Sequence, residues 1–266
     1  MAGPDAAGPG AARLGTARPG TARPVTVVTG GGRGIGAAIC LRLAADGHDV
    51  AVGYVRDADA AEGVARGVRE TGGRAVTVRV DTSVEAEVER LFDLAEAELG
   101  PVTGLVNNAG VSGPLGRLAD ADTEVLRRVV DVNLLGTLLC SRRAARLMTA
   151  RGNGVIVNIS SGAATLGSPG EFVHYAATKA AVDTLTLGLS KELGPDGIRV
   201  NAVAPGAVVT DMHAEMGEPD RAYRVAAGVP LRRPGQPEEI AAAVAWLMSP
   251  EASYTTGTVL RVAGGR

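Results

Sequence analysis

The sequence predicts an α/β protein built on a doubly wound, parallel sheet of seven strands in a single domain. Three observations carry this. Short runs rich in β-branched residues alternate with longer segments of helical period. Those runs are apolar along nearly their whole length, as strands covered on both faces must be. The first run ends in a glycine-rich turn that leads directly into a helical segment, the arrangement that opens a ligand crevice beyond the carboxyl ends of parallel strands.

Residues 1–24 precede this pattern. They are dominated by Ala, Gly, Pro and Arg, include the tandem GTARPGTARP, and offer neither an apolar face nor a helical period, so a flexible tail is expected. A targeting segment is the competing reading, because Arg13, Arg18 and Arg23 outnumber Asp5, but no hydrophobic signal core follows and the prolines oppose an amphipathic helix.

From residue 25 to 266 the chain reads as one folded domain of alternating strands and helices. Strands are expected at 25–29, 49–54, 75–80, 104–108, 155–160, 198–204 and 258–262. The helices between them follow from spacing. In 83–99, Val84, Val88, Leu91, Ala95 and Leu99 recur on one face, with Glu85, Glu87, Glu89 and Arg90 outward. In DADAAE, Asp59 and Glu62 have capping-box spacing and mark a helix start.

Composition excludes several classes of function. With 45% hydrophobic residues, a formal charge of −2 and no apolar run long enough to cross a bilayer, the chain is expected to be globular, with no membrane partner. At 3% aromatic residues it lacks stacking platforms, and it has no strongly basic balance, so nucleic acid is not an expected partner. Cys40 and Cys140, alone in helix-like stretches, fit buried reduced thiols in a cytoplasmic setting, and no metal site is expected.

The chemistry should lie just after the strands. TGGGRGIG, residues 29–36, offers a tight turn and a helix amino terminus to a pyrophosphate, although a mere connection is the plain alternative. At the end of the second strand stand Tyr54, Val55 and Arg56 where an NAD-binding protein would place an acid. With Arg33 from the glycine turn, Arg56 suits a ribose phosphate, which favours NADP(H) over NAD(H). Each arginine would otherwise be a solvated surface charge, and Asp57 or Asp59 is the alternative ribose ligand. Asp81, ahead of Thr82 and Ser83, either accepts from an adenine amino group or caps the next helix.

EFVHYAATKAA places Tyr175 and Lys179 four residues apart, on one helix face. The chain has only two lysines, Lys179 and Lys191, against 25 arginines, so a compact ammonium at 179 is a specific choice. Beside it, a phenol of ordinary pKa near 10 is expected to fall toward 7, a difference of roughly 4 kcal/mol, and to become a proton donor. An ordinary surface pair is the alternative.

In order along the chain, TGGGRGIG, Asp81, NNAG (107–110), Asn133 in DVNLLGT, NISS (158–161), YAATK (175–179) and APGAVVTDM (204–212) resemble the short-chain dehydrogenase/reductase family, over essentially all of residues 25–266. The resemblance implies a Rossmann-type sheet, a catalytic tetrad of Asn133, Ser161, Tyr175 and Lys179, and the homotetramer common in the family. It further implies that Ser161 holds the substrate oxygen, Tyr175 gives it a proton, Lys179 binds the nicotinamide ribose and Asn133 holds a water linking Lys179 to solvent. Taken with the readings of the glycine turn and the second strand's end, the expected cofactor-binding residues are Gly30, Arg33, Gly34, Ile35, Gly36, Tyr54, Arg56, Asp81, Thr82, Asn108, Ala109, Gly110, Tyr175, Lys179, Pro205, Gly206, Val208 and Thr210. Taken singly, Asn133 and Ser161 would equally be polar residues satisfied by backbone. Ser161 precedes Tyr175 by fourteen positions, one more than is commonest in the family, with Ser160 as the alternative serine and the extra length in LGSPGEFVHY. His174 is read as a wall or surface residue.

Residues 207–234, rich in Met, Gly and charge, are expected to form a lid, with Met212, Met216 and Tyr223 as contacts to an apolar substrate or, alternatively, as core or subunit-contact residues. The expected function is NADP(H)-dependent interconversion of a carbonyl and a secondary alcohol on a small molecule, a ketoreductase. The alternatives are an NAD-dependent alcohol or sugar dehydrogenase and a non-catalytic dinucleotide-sensing protein.

Overall fold

The computed structural model of the chain describes residues 23–266. Seven strands, β1 (Val25–Val28), β2 (Asp49–Tyr54), β3 (Ala75–Arg79), β4 (Val102–Asn107), β5 (Gly154–Ile159), β6 (Ile198–Pro205) and β7 (Val259–Val262), form one sheet in the order β3-β2-β1-β4-β5-β6-β7. Every neighbouring pair is parallel. All seven expected strands are present, with boundaries moved by at most two residues.

Ten helices connect them: α1 (Gly34–Ala45), α2 (Ala58–Glu70), α3 (Glu85–Leu99), α4 (Thr123–Val130), α5 (Gly136–Thr149), α6 (Ala163–Leu166), α7 (Val173–Leu193), α8 (Met212–Glu215), α9 (Arg221–Ala226) and α10 (Pro237–Met248). The sheet is covered on both faces. Ile39, Cys40 and Leu43 of α1 meet Ile240, Val244 and Leu247 of α10 over one face. Val88, Leu91, Phe92 and Ala95 of α3 meet Leu139, Ala144 and Met148 of α5 over the other. This double burial explains the unbroken apolar strands, since each large aliphatic side chain taken from water contributes about 1.5–3 kcal/mol.

Two local expectations are corrected. Val84 is 43% exposed and lies one residue ahead of α3 in extended backbone, so the apolar stripe begins at Val88. The cap of α2 is Asp57, whose carboxylate accepts from the Ala60 amide at 2.9 Å, while Glu62 pairs with Arg69. A side chain at the first non-helical position reaches the orphan amides that Asp59, already inside the first turn, cannot.

The reading of residues 1–24 as a tail falls outside the described residues except at its end. There Arg23 pairs with the buried carboxylate of Asp49 at 3.0 Å, and Pro24 accepts from the Asp49 amide at 2.9 Å. Among the described residues no helix is long and apolar enough to cross a membrane. The strand order reverses between β1 and β4, so their connections leave on opposite sides and open a crevice at the carboxyl edge.

Candidate active site

The crevice begins at the turn after β1. Gly30 has φ +63°, in the left-handed region, and a Cβ on Gly36 would sit 2.1 Å from the Gly30 carbonyl oxygen. No other residue fits at position 36 with this turn in place. Arg33, at the amino cap of α1, makes no side-chain cap, leaving the first amides of the helix without a side-chain acceptor. The neighbouring NNAG turn is strapped to this one: Asn108 Nδ2 donates to Thr29 O and Gly30 O, both at 3.0 Å, and Thr29 Oγ1 accepts from the amides of Asn108 and Ala109.

Tyr175 and Lys179 lie on the first turns of α7, both almost fully buried. The Lys179 ammonium donates to Ile159 O at 2.8 Å and lies 5.7 Å from the Tyr175 ring centroid. The Ser161 hydroxyl accepts from the Ala163 amide at 3.1 Å and faces the Tyr175 phenol, whereas Ser160 turns away to donate to Lys179 O at 3.3 Å. Ser161 is therefore the serine that meets the tyrosine, despite the longer spacing.

The expected acidification of the phenol is corrected. Burial pushes Tyr175 up to about 12, with the Ser161 hydroxyl opposing. Burial also lowers Lys179 from 10.5 to about 8, with the Asp183 carboxylate opposing. The ammonium is aimed at a backbone carbonyl and faces the ring, so desolvation outweighs its attraction for a phenolate. The phenol is therefore neutral at pH 7.

Asn133 sits in one wider π-turn, Asp131–Leu135, between α4 and α5. Its side chain grips the backbone of Val111, accepting from N and donating to O at 2.8 Å each, and also donates to Thr178 Oγ1 at 3.2 Å. Its carbonyl accepts from Thr137 Oγ1 at 2.8 Å. Asn133 thus braces the loop after β4 against α7 and does not line the cavity, unlike Ser161, Tyr175 and Lys179.

That cavity, about 690 Å³, follows the carboxyl edge of the sheet and brings all the expected cofactor-binding residues to one continuous wall. One end holds Tyr54, Arg56, Asp81 and Thr82, and the other holds Phe172, Met212 and Met216. The residues fit a dinucleotide: the Gly30–Gly36 approach makes room beside the amino end of α1, and the wall runs unbroken from there to Lys179. Asp81 turns back on its own chain, accepting from Ser83 N at 3.0 Å and pairing with Arg128 at 2.9 Å. Arg33 pairs with Glu215 of α8 at 2.5 Å, and Arg56 lines the cavity. Tyr223 is 60% exposed and off the wall, which corrects its reading as a substrate contact. His174 Nε2 lies 2.9 Å from Ser112 O, also off the cavity wall.

The comparisons with known proteins decide the family. Residues 30–266 match the family model described as Enoyl-(Acyl carrier protein) reductase. An uncharacterized oxidoreductase, YgfF, of Escherichia coli K12 is 44% identical over 91% of this chain and 99% of its own length. Cis-4-hydroxycyclohexanecarboxylate dehydrogenase of Sinomonas cyclohexanicum is 43% identical over 91% and 95%. The chain is a short-chain dehydrogenase/reductase. Among solved structures, a blue fluorescent protein from a metagenomic library in complex with NADPH is 36% identical, with a TM-score of 0.84 over 92% of this chain and 98% of that one. A 7α-hydroxysteroid dehydrogenase complexed with NADH is 37% identical, with a TM-score of 0.85 over 92% and 94%. This short-chain dehydrogenase/reductase is accordingly an oxidoreductase of the NAD(P)(H)-using kind that works on alcohol and carbonyl groups.

The sequence did not reveal the polar ladder that sets α7 against the sheet. Asn107 Nδ2 donates to both Ser141 Oγ of α5 and Asn158 Oδ1 of β5, and Asn158 Nδ2 donates to Thr186 Oγ1 of α7, all at 2.9 Å and all buried. The ladder ties both central strands to the helix bearing Tyr175 and Lys179. Polar residues inside otherwise apolar strands were the available signal.

Proposed function

We propose that this protein is an NADP(H)-dependent ketoreductase interconverting a carbonyl and a secondary alcohol on a small molecule. The observation that carries the reading is the facing of Ser161 and Tyr175 across the cavity, with the phenol neutral and the Lys179 ammonium beside it. A dinucleotide held on this wall would supply the hydride in reduction and take it in oxidation. Ser161 donates a hydrogen bond to the substrate oxygen, and Tyr175 transfers its phenolic proton to that oxygen as the C=O bond becomes a C–O single bond. Lys179 offers its remaining donors to the sugar next to the reacting ring, and burial keeps water from competing for these groups. Gly30, Gly34, Ile35 and Gly36 would receive the pyrophosphate, with Asn108, Ala109, Gly110, Asp81 and Thr82 on the adenosine side and Pro205, Gly206, Val208 and Thr210 on the nicotinamide side.

The preference for NADP(H) is supported by the end of β2, where Arg56 lines the cavity and the carboxylate of Asp57 is occupied in capping α2. One observation favours NAD(H) instead: Arg33 already has a carboxylate partner in Glu215. Purified protein with a carbonyl panel and either reduced cofactor, followed at the nicotinamide absorbance, distinguishes the two. Failure to turn over any carbonyl with either cofactor, despite dinucleotide binding, would favour the binding-only reading.

Residues 207–234, which carry α8 and α9, are the proposed lid. The homotetramer is supported by apolar side chains left exposed on α4, α5, α7 and the π-turn, among them Val130, Leu135, Leu138 and Leu187, and sedimentation equilibrium tests it. A cytoplasmic setting is supported by two buried thiols, Cys40 and Cys140, both raised by burial and held apart from any disulfide.

A further inference from the structure

The end of the cavity that holds Phe172 and Met216 contains an ion pair, its arginine buried and its glutamate half-buried, that the proton-transfer chemistry does not use. Arg221 of α9, only 7% exposed, donates from Nη1 to Glu171 Oε1 at 2.9 Å and from Nη2 to Glu171 Oε2 at 2.6 Å. Both residues line the same cavity as Ser161 and Tyr175. The guanidinium also lies over the Phe172 ring, 5.1 Å from its centroid, and that ring meets Tyr175 edge to face at 5.4 Å. Glu171 belongs to the lengthened loop before α7, and its backbone carbonyl accepts from the Gly116 amide at 2.7 Å, so the loop after β4 fixes the main chain from which the carboxylate projects.

Resting on the ketoreductase reading, we propose that Glu171 and Arg221 set the charge specificity of the substrate pocket, favouring neutral carbonyl compounds over carboxylate-bearing ones. The bidentate contact neutralises the guanidinium and occupies both of its terminal nitrogens, while Phe172 covers one face of its plane. A substrate carboxylate reaching Arg221 has either to displace Glu171 or to share the guanidinium with it, and in both cases a second negative charge stands in a confined space. Around the pair, Phe172, Met212, Met216 and Val225 present apolar surface to the cavity. Without the Glu171 charge, the same Arg221 becomes an unpaired buried cation, and a carboxylate ligand becomes its best available partner.

The test measures binding, so that it does not depend on turnover. Titrate the protein–NADPH complex with cyclohexanecarboxylate and with cyclohexanecarboxamide, comparing wild type, Glu171→Gln and the double variant Glu171→Gln/Arg221→Gln. The wild type should bind the amide more tightly than the carboxylate. Glu171→Gln should tighten the carboxylate by roughly tenfold or more and leave the amide within about twofold, and the double variant should lose that gain. NADPH affinity in each variant checks that the fold and cavity survive, and the reciprocal swap Glu171→Arg/Arg221→Glu, which keeps the pair, should keep the wild-type order. No tightening of the carboxylate in Glu171→Gln, or a wild type that already prefers the carboxylate, overturns the proposal. Tightening in a protein that reduces no carbonyl would leave the pair's role standing and reject the ketoreductase reading instead.

Discussion

Lys179 Nζ donates to the carbonyl oxygen of Ile159 at 2.8 Å, and in doing so holds its charge over the face of the Tyr175 ring, 5.7 Å from the centroid. The last residue of β5 thereby orients the cation of α7, and the strand that carries Ser161 just beyond its end also sets the direction of the ammonium. Desolvation displaces each from its ordinary titration, the phenol upward and the ammonium downward.

Replacing Tyr175 by Phe removes the proposed proton donor and leaves the apolar packing against Phe172. Carbonyl reduction should fall by roughly 10²–10⁴-fold while NADPH affinity changes little. Steady-state turnover and cofactor fluorescence titration measure the two separately. Reduction by the variant at the wild-type rate would remove the tyrosine from the chemistry.

The Lys179 shift makes a statement about stability. Its pKa falls from 10.5 to about 8 on folding, so between those values the unfolded chain binds more protons and stability contributed by this group rises with pH. Below pH 8 the buried charge is fully destabilising, by about 3 kcal/mol as an upper figure. Lys179→Met should therefore raise the unfolding midpoint at pH 7, less the lost Ile159 hydrogen bond, and the gain should shrink toward pH 10. A midpoint lowered at pH 7 would show that the ammonium stabilises the fold. Turnover in the wild type should decline as pH passes through about 8, where Lys179 loses its proton.

Gly36→Ala forces a methyl carbon to 2.1 Å from Gly30 O and 2.6 Å from Asn108 Nδ2. The turn has to open, at a cost of about 1–3 kcal/mol in stability. Dinucleotide affinity should fall at least about tenfold, as seen by calorimetry. Unchanged affinity would place the pyrophosphate elsewhere.

Arg56→Ala and Arg33→Ala should each weaken NADPH binding by roughly tenfold and leave NADH nearly unaffected. For Arg33 the loss should be partly offset, because the wild-type side chain must leave Glu215 to reach a phosphate. Equal losses for both cofactors would reject the ribose-phosphate role of the arginines.

Asn158→Ala strips a buried donor and acceptor from the ladder joining Asn107, Asn158 and Thr186. The expected destabilisation is about 2–4 kcal/mol, because the partners stay buried without replacement bonds. Chemical denaturation measures it. A loss below about 0.5 kcal/mol would show that the ladder does not hold α7 against the sheet.

Much of this protein was legible from residue order alone, because the deciding physics is local. Strand positions follow from β-branched runs, the crevice from a glycine turn between strand and helix, and the Tyr175–Lys179 face from a separation of four on a helix. Tertiary structure alone decided the electrostatics and the partners. Whether the tyrosine titrates low or high depends on how much water reaches it and where the ammonium points, and spacing encodes neither. The bracing role of Asn133, the choice of Ser161 over Ser160, and the meeting of Glu171 with Arg221, fifty residues apart, arise only when separate loops converge at one edge of the sheet. A sequence records which groups are present along the chain, but desolvation and long-range pairing are properties of the space that folding encloses.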